Sequence, residues 1–209
     1  MKDKRFWKLE YSITLIALFA FAMLFVPLSL QSTMQAKFIT RWKDCYNRLS
    51  YMKDAISKQE KTDILKSFKR AKNDEERESI LINIIKPYFR LNEEKFPKHY
   101  HPKYMNKKIV KHNDFYYFDE IYYTDNKLIV GIKDVDDVVP PMFMMMFDIN
   151  GKLPPNIWGK DIFGAKVYED RVEAFGQSES LENMRKDCSP QGTGISCSYY
   201  YRIGGNFVD

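Results

Sequence analysis

The sequence is short of several residue types and motifs, and each shortage excludes a class of protein. Three cysteines among 209 residues are too few for a disulfide scaffold, and they lack the paired C-x-x-C spacing of a structural zinc site. There is no glycine-rich phosphate loop, no G-x-S-x-G turn and no histidine metal motif, so neither catalysis nor a cofactor is expected. Neither sign of charge dominates. Lysine and arginine total 33 against 28 acids, a net +5 spread along the chain, and no nucleic-acid partner is expected. Long apolar runs are missing except for one, and a mean hydropathy of −0.48 excludes a multi-span membrane protein. What the chain does have is 44% hydrophobic and 15% aromatic residues, enough apolar surface to offset the entropy of ordering, so a disordered chain is excluded. Its length suits one domain of ~100–150 residues plus an appendage.

The one apolar run lies near the start. Residues 11–36 carry no charge, and residues 13–30 are interrupted only by Thr14, Pro27 and Ser29. Eighteen helical residues reach ~27 Å, close to the ~30 Å hydrocarbon core of a bilayer. This predicts a short basic cytoplasmic segment over 1–10, a membrane-spanning helix over 11–30 and an extracytoplasmic domain over 31–209. A secretory signal peptide is the rival, but its apolar core is ~7–15 residues and ends at a small-x-small site. Ser29-Leu30-Gln31 and Ser32-Thr33-Met34 fit that rule poorly. Lys2, Lys4, Arg5 and Lys8 outweigh Lys37, Arg41 and Lys43 on the far flank, which favours a single-pass inner (cytoplasmic) membrane location with the N-terminus inside.

Beyond the run, Met34, Phe38, Trp42, Cys45, Leu49, Met52 and Ile56 recur every three or four residues, with charged and amide residues between them. The pattern predicts one helix from about residue 7 to 58, greasy all round at first and then amphipathic, bent at Pro27 without ending there. Cys45 falls on the buried stripe as an inert thiol. A coiled coil is the alternative, although cysteine and tryptophan are unusual seam residues, so packing on the chain's own domain is favoured. Residues 62–90 predict further helix around the charged middle KNDEER, closed by Pro87, Pro97 and Pro102, and residues 95–111 an irregular loop. His99, His101 and His112 sit there, without nearby cysteine or carboxylate ligands for a metal.

From Asp114 the pattern turns to strand. Residues 115–123 and 127–132 predict a hairpin about Thr124-Asp125-Asn126, residues 142–147 a third strand, and residues 162–168 with 171–175 a second hairpin about Glu169-Asp170. Helix first and antiparallel sheet second make an α+β fold, with the amphipathic helix as a spine laid on one sheet face. Cys188 and Cys197 enclose eight residues of a Gly/Ser/Pro-rich stretch. In an oxidising compartment a bond between them would stabilise by about 2.5–3 kcal/mol, the alternative being two unpaired thiols in a loop.

Phe6, Glu10 and Pro27 stand at the spacings of the first mature residue, the acidic residue four later and the helix proline of a type IV pilin or pseudopilin, and the N-terminus resembles that family. Two departures are Arg5, where the leader's glycine belongs, and Lys8, a charge two residues into the mature segment. The run from Phe147 through Asp148, Asn150, Gly151, Pro155, Asn156, Trp158, Gly159, Asp161 and Phe163 is similar to the FDxNGxxxPNxWGxDIF segment of many prepilin-like proteins, which also often end in a cysteine-bearing loop comparable to 188–197. The resemblance implies a pilin-like fold, assembly through Phe6, Glu10 and Pro27, and membrane lipid, other pilin-like subunits and pilus or type II secretion machinery as partners. It implies that Glu10 pairs with a neighbouring subunit's N-terminal amine, the alternatives being Arg5 or Lys8, or plain hydration at the interface. It also makes Asp148 and Asn150 calcium candidates, since some pseudopilins bind calcium near their C-terminal loops. A structural turn is favoured over calcium, because the later bidentate Glu of an EF-hand is missing.

The leading functional expectation is thus a structural subunit or accessory of a type IV pilus or type II secretion-type filament. The alternative is a single-pass anchored binding module using Tyr116, Tyr117, Tyr122 and Tyr123 as a stacking surface, although strand alternation turns half of them inward. A hydrolase built on Asp134, Asp136 and Asp137 is a third reading, set against a solvated turn before Pro140-Pro141.

Overall fold

The computed structural model describes the backbone of residues 3–59, 71, 73–95, 100–135 and 142–206. The side chains of residues 3–10, 22, 24–32, 59, 74 and 93–95 lie outside the described set. The elements in chain order are α1 (Asp3–Gln59), α2 (Asp74–Phe89), β1 (Leu91–Lys95), β2 (Glu120–Thr124), β3 (Ile129–Asp134), β4 (Phe143–Asp148), β5 (Ile162–Val167), β6 (Val172–Ala174), α3 (Leu181–Asp187) and α4 (Cys197–Tyr200). The chain divides into two compact units, residues 1–37 and 38–209, and α1 contributes to both.

Helix α1 is uninterrupted over 57 residues. The chain has no glycine before Gly131 and only Pro27 as a proline before Pro87, so nothing else in this stretch resists the helix. In the first unit, the described apolar side chains between Tyr11 and Met23 are 58–67% exposed.

Three expectations are corrected here. Among the described residues no helix is long and apolar enough to cross a membrane. The unbroken stretch of described side chains, residues 11–21, is only ~16 Å of helix against a ~30 Å hydrocarbon core, since residues 22 and 24–32 lie outside the described set. The membrane-spanning part of the predicted fold class, the span over 11–30 and the single-pass location with its N-terminus inside are therefore not supported.

The second unit is α+β. Its sheet has six strands in sequence order, β1-β2-β3-β4-β5-β6, every neighbouring pair antiparallel. The second half of α1 lies on one face. Trp42, Tyr46, Leu49 and Met52 are buried among Tyr122, Val130, Ile132, Phe147, Phe163 and Val167 of the strands, with Phe38 and Ile56 at the margin. The stripe is the predicted one from Phe38 to Ile56, except that Tyr46 occupies the seam and Cys45 is half-buried beside it; Met34, expected at its start, is exposed. Burial pushes the Cys45 thiol up to about 12, against the pull of Arg48. Trp42 also donates its indole N–H to the Ser198 carbonyl at 2.7 Å, and the Tyr46 hydroxyl donates to the Val172 carbonyl at 2.6 Å, so polar atoms as well as apolar ones fix the helix rotation.

Both faces of the sheet are covered, which sequence patterning did not anticipate. Every residue of β4 is buried. Its alternate side chains, Met144 and Met146, meet a second cluster made by Tyr100, Val110, Phe118, Trp158, Ile162 and Phe175. A strand buried on both faces reads as a continuous apolar run, as FMMMF does. Gly131 in β3 lets this cover approach. A Cβ there would stand 3.0 Å from both the Met146 methyl and the Phe118 Cβ.

Element bounds differ from expectation at several points. Residues 115–116 form a turn, residues 117–119 are irregular, and the strand begins only at Glu120. Leu91–Lys95 is a strand where no strand was expected, and α3 and α4 are short helices missed in the sequence. Pro87 lies inside α2, which ends instead at Arg90 in the left-handed conformation (φ 51°). Most of the expected helix before Asn73 lies outside the described residues.

Candidate functional site

The site with the densest polar chemistry is the corner where β4 ends. Asp148, the last residue of β4, is wholly buried, and Asp161, just before β5, is wholly buried beside it. The Asp148 carboxylate accepts the Tyr100 hydroxyl at 2.6 Å and the Asn150 backbone N–H at 3.3 Å. The Asp161 carboxylate accepts the backbone N–H groups of Asn156 at 2.8 Å and Ile157 at 2.6 Å. With its amide nitrogen turned to donate, Asn156 reaches the Leu153 carbonyl at 2.9 Å and Asp148 Oδ2 at 3.1 Å. Gly151 (φ 69°) and Asn156 (φ 51°) supply the left-handed backbone that closes the turn, which also holds the cis bond between Pro154 and Pro155. Asn150 Nδ2 donates to the Pro154 carbonyl at 3.1 Å.

The electrostatics follow from burial. Loss of water first, and then the neighbouring Asp161 carboxylate, push the Asp148 carboxyl well above the usual carboxylate range, although the Tyr100 hydroxyl opposes this. Burial raises Asp161 to about 6 despite its two backbone donors. Both folded-state values lie above the unfolded ones, so each contributes stability at low pH that is lost as pH rises; for Asp161 the contribution is complete below about pH 4 and is lost as pH rises through about 6. The unfolding free energy is expected to fall by roughly 2–3 kcal/mol between pH 4 and 7 from Asp161. Urea midpoints across that range should show the decline in the parent chain and a flatter curve in Asp161→Asn; a midpoint that climbs with pH only where Asp161 is present would contradict the assignment.

A second polar knot sits beneath the closing loop. Cys188 and Cys197 are bonded, with Cα atoms 5.3 Å apart, and both are wholly buried. Asp187 Oδ1 accepts the Thr193 hydroxyl at 2.6 Å and the Thr193 N–H at 2.7 Å, and Oδ2 accepts the Ser196 N–H at 2.9 Å. Gly194 (φ 81°) passes so close to the Trp158 carbonyl that a Cβ there would clash with it. Trp158 is wholly buried against Tyr116, Phe118 and Phe175.

The remaining predicted residues are not brought together. Phe6, Glu10 and Pro27 lie on α1 by backbone, but their side chains lie outside the described residues. Asp148 and Asn150 share the turn, where both Asp148 oxygens face protein donors. Among the described residues no group of three or more His, Cys, Asp or Glu is placed to hold a metal ion. His101 is exposed, His112 pairs with Asp119 at 3.2 Å and lies against Tyr117, and His99 is outside the described residues. Asp134 is held by Arg77 at 2.8 Å, while Asp136 and Asp137 are outside the described residues. Tyr122 is buried and donates to Glu78 and Glu120, while Tyr116, Tyr117 and Tyr123 pack on the second cluster, so the four form no common stacking surface. Tyr100, Asp161 and Asp187 were missed. The five-residue reach from Asn156 to Asp161 is visible in the sequence, but nothing local marks Tyr100 as a partner of Asp148. No protein-family description, curated protein or solved structure matches this chain.

Proposed function

We propose that this chain is a structural subunit that works by association: a pilin-like subunit or accessory of a type IV pilus or type II secretion-type filament. The observation that carries the reading is the contrast along α1. Between Trp42 and Met52 its apolar stripe is covered by the chain's own sheet, whereas Ile13, Leu15, Ile16, Leu18, Phe19 and Phe21 are each more than half exposed. Burying one such side chain is worth about 1.5–3 kcal/mol, and apolar patches beyond a few hundred Å² rarely stay uncovered. Helices of neighbouring subunits laid side by side would cover this surface, as the spacing of Phe6, Glu10 and Pro27 in the resembled family implies. The buried polar corners then have a structural task, making the second unit rigid.

The test places single cysteines at Leu15 or Phe19 in the full chain with Cys45→Ser, so that no other free thiol is present. Oxidation is expected to give dimers linked through α1, and Glu10→Ala to lower their yield severalfold. Chains that stay monomeric under oxidation at both positions would overturn the reading.

A further inference from the structure

Among the described residues between β1 and β2 there is no regular element, yet residues 101–113 are firmly held. Lys107 donates its N–H to the Tyr104 carbonyl at 2.8 Å, and Tyr104 donates its own to Lys108 at 2.8 Å, closing a turn with Lys107 in the left-handed conformation (φ 67°). Lys103 and Ile109 pair across the two arms. The hairpin is pinned at its base, since the Lys103 N–H donates to the Asn156 carbonyl at 3.0 Å and the Trp158 N–H to the Lys103 carbonyl at 2.9 Å. It is pinned at its side as well, where Met105 and Asn106 donate to the Thr193 and Gly192 carbonyls of the disulfide-closed loop, each at 2.9 Å. Met105 and Val110 are buried beneath it, while Lys103, Lys107, Lys108 and Lys111 all face solvent.

The charge on this strip is one-sided. Residues 100–113 contain four lysines, two histidines and no acid. Two acids that follow in sequence are engaged: Asp114 accepts the Lys111 N–H at 2.9 Å and the Tyr104 hydroxyl at 3.2 Å, and Asp119 holds His112 at 3.2 Å. Asp187, under the adjoining loop, is turned inward to Thr193 and Ser196. Lys160, exposed in the turn just after the Ile157 pairing with Lys103, adds a further amine. A net +5 dispersed along the sequence thus becomes, in the fold, a local cationic strip.

We propose that this hairpin is a docking surface for a linear, phosphate-linked polyanion. The four amines are carried by exposed side chains within nine residues of one hairpin, so a single small anion gains only weak, solvent-screened contacts. A chain with repeated phosphates engages several amines together, and the later contacts are effectively intramolecular. The hairpin is ordered by backbone hydrogen bonds before any ligand arrives, which reduces the entropy lost on binding. Release of counterions from the polymer supplies the driving force.

The experiment uses the full chain and inorganic polyphosphate of about 100 phosphates as probe. Engagement of four amines at a slope of about 0.7 per contact predicts affinity falling roughly 50-fold between 50 and 200 mM salt. The variant carrying Lys103→Ala, Lys107→Ala, Lys108→Ala and Lys111→Ala is expected to lose at least tenfold in affinity and most of the salt dependence, with an unchanged melting temperature because all four side chains are exposed. A control with Lys37→Ala, Lys43→Ala, Lys58→Ala and Lys86→Ala removes the same charge elsewhere and should bind as the parent does. Equal loss in both variants, undiminished binding by the first, or preference for phosphatidylglycerol-containing vesicles over the polymer would overturn the proposal.

Discussion

Trp42→Ala is expected to lower the unfolding free energy by about 3–5 kcal/mol, the range for deleting a large aromatic from a tight core. Trp42 is wholly buried and stacks on Phe163 with ring centroids 5.5 Å apart and planes at 19°, while Phe147 and Tyr46 close on it at 5.9 and 5.8 Å. The cavity left behind would sit between helix and sheet, where neither layer can collapse without moving a whole element. Deletion also removes the donor to the Ser198 carbonyl, leaving a buried acceptor unmade at a further cost of about 1–3 kcal/mol if no water replaces it. Urea unfolding should show a lower midpoint with an unchanged slope. Trp42→Phe should fall between the two, restoring part of the packing but not the hydrogen bond. A loss under 1 kcal/mol in Trp42→Ala would mean that the second half of α1 does not organise the head.

The second large effect is expected from the pair Cys188→Ala and Cys197→Ala. The bond closes a short loop, with the cysteines nine residues apart, and chain entropy puts its contribution at about 2.5–3 kcal/mol. For a chain of this size that is a fall of about 5–12 °C in melting temperature. Both side chains are wholly buried, so lost packing adds to the entropic term. The effect should reach beyond the loop, because Thr193 and Gly192 accept the N–H groups of Met105 and Asn106. Amide exchange at Met105 and Asn106 is expected to accelerate in the double variant, while amides of β4 and β5 stay protected until global unfolding. Unchanged exchange at those two amides would show that the hairpin is held by its base alone.

The parts of the fold that were legible are those written in local periodicity. The three-and-four spacing from Phe38 to Ile56 exposed the packed half of α1, and the β-branched and aromatic runs located β2 to β6 to within a few residues. The tight turn at Asp148-Ile149-Asn150-Gly151 and the pairing of Cys188 with Cys197 also follow from residue type and spacing. Illegible parts had their causes elsewhere in the chain. Leu91–Lys95 carries three charges in five residues and no strand pattern of its own, so β2 alone makes it a strand. Residues 100–111 look like a loop because they are one, residues 115–118 carry a strand-like aromatic run yet are irregular, and nothing in their composition says that Tyr100, Val110 and Phe118 cover a sheet face. Pro87 lies in the last turn of α2, where its missing N–H forfeits the single bond to the Asn83 carbonyl and the helix ends two residues later.

By itself the sequence determined the order of helix and sheet, the stripe that α1 turns to its head, and the corner that Asn and Gly build after β4, because each depends on backbone preference or spacing over a few residues. Only the tertiary structure decided that the sheet is buried on both sides, that Asp148 and Asp161 share one dry corner with Tyr100, and that the lysine-bearing hairpin is pinned to the disulfide-closed loop. These depend on which distant segments share a neighbourhood. Burial, charge repulsion and local potential exist only once the chain has brought them together.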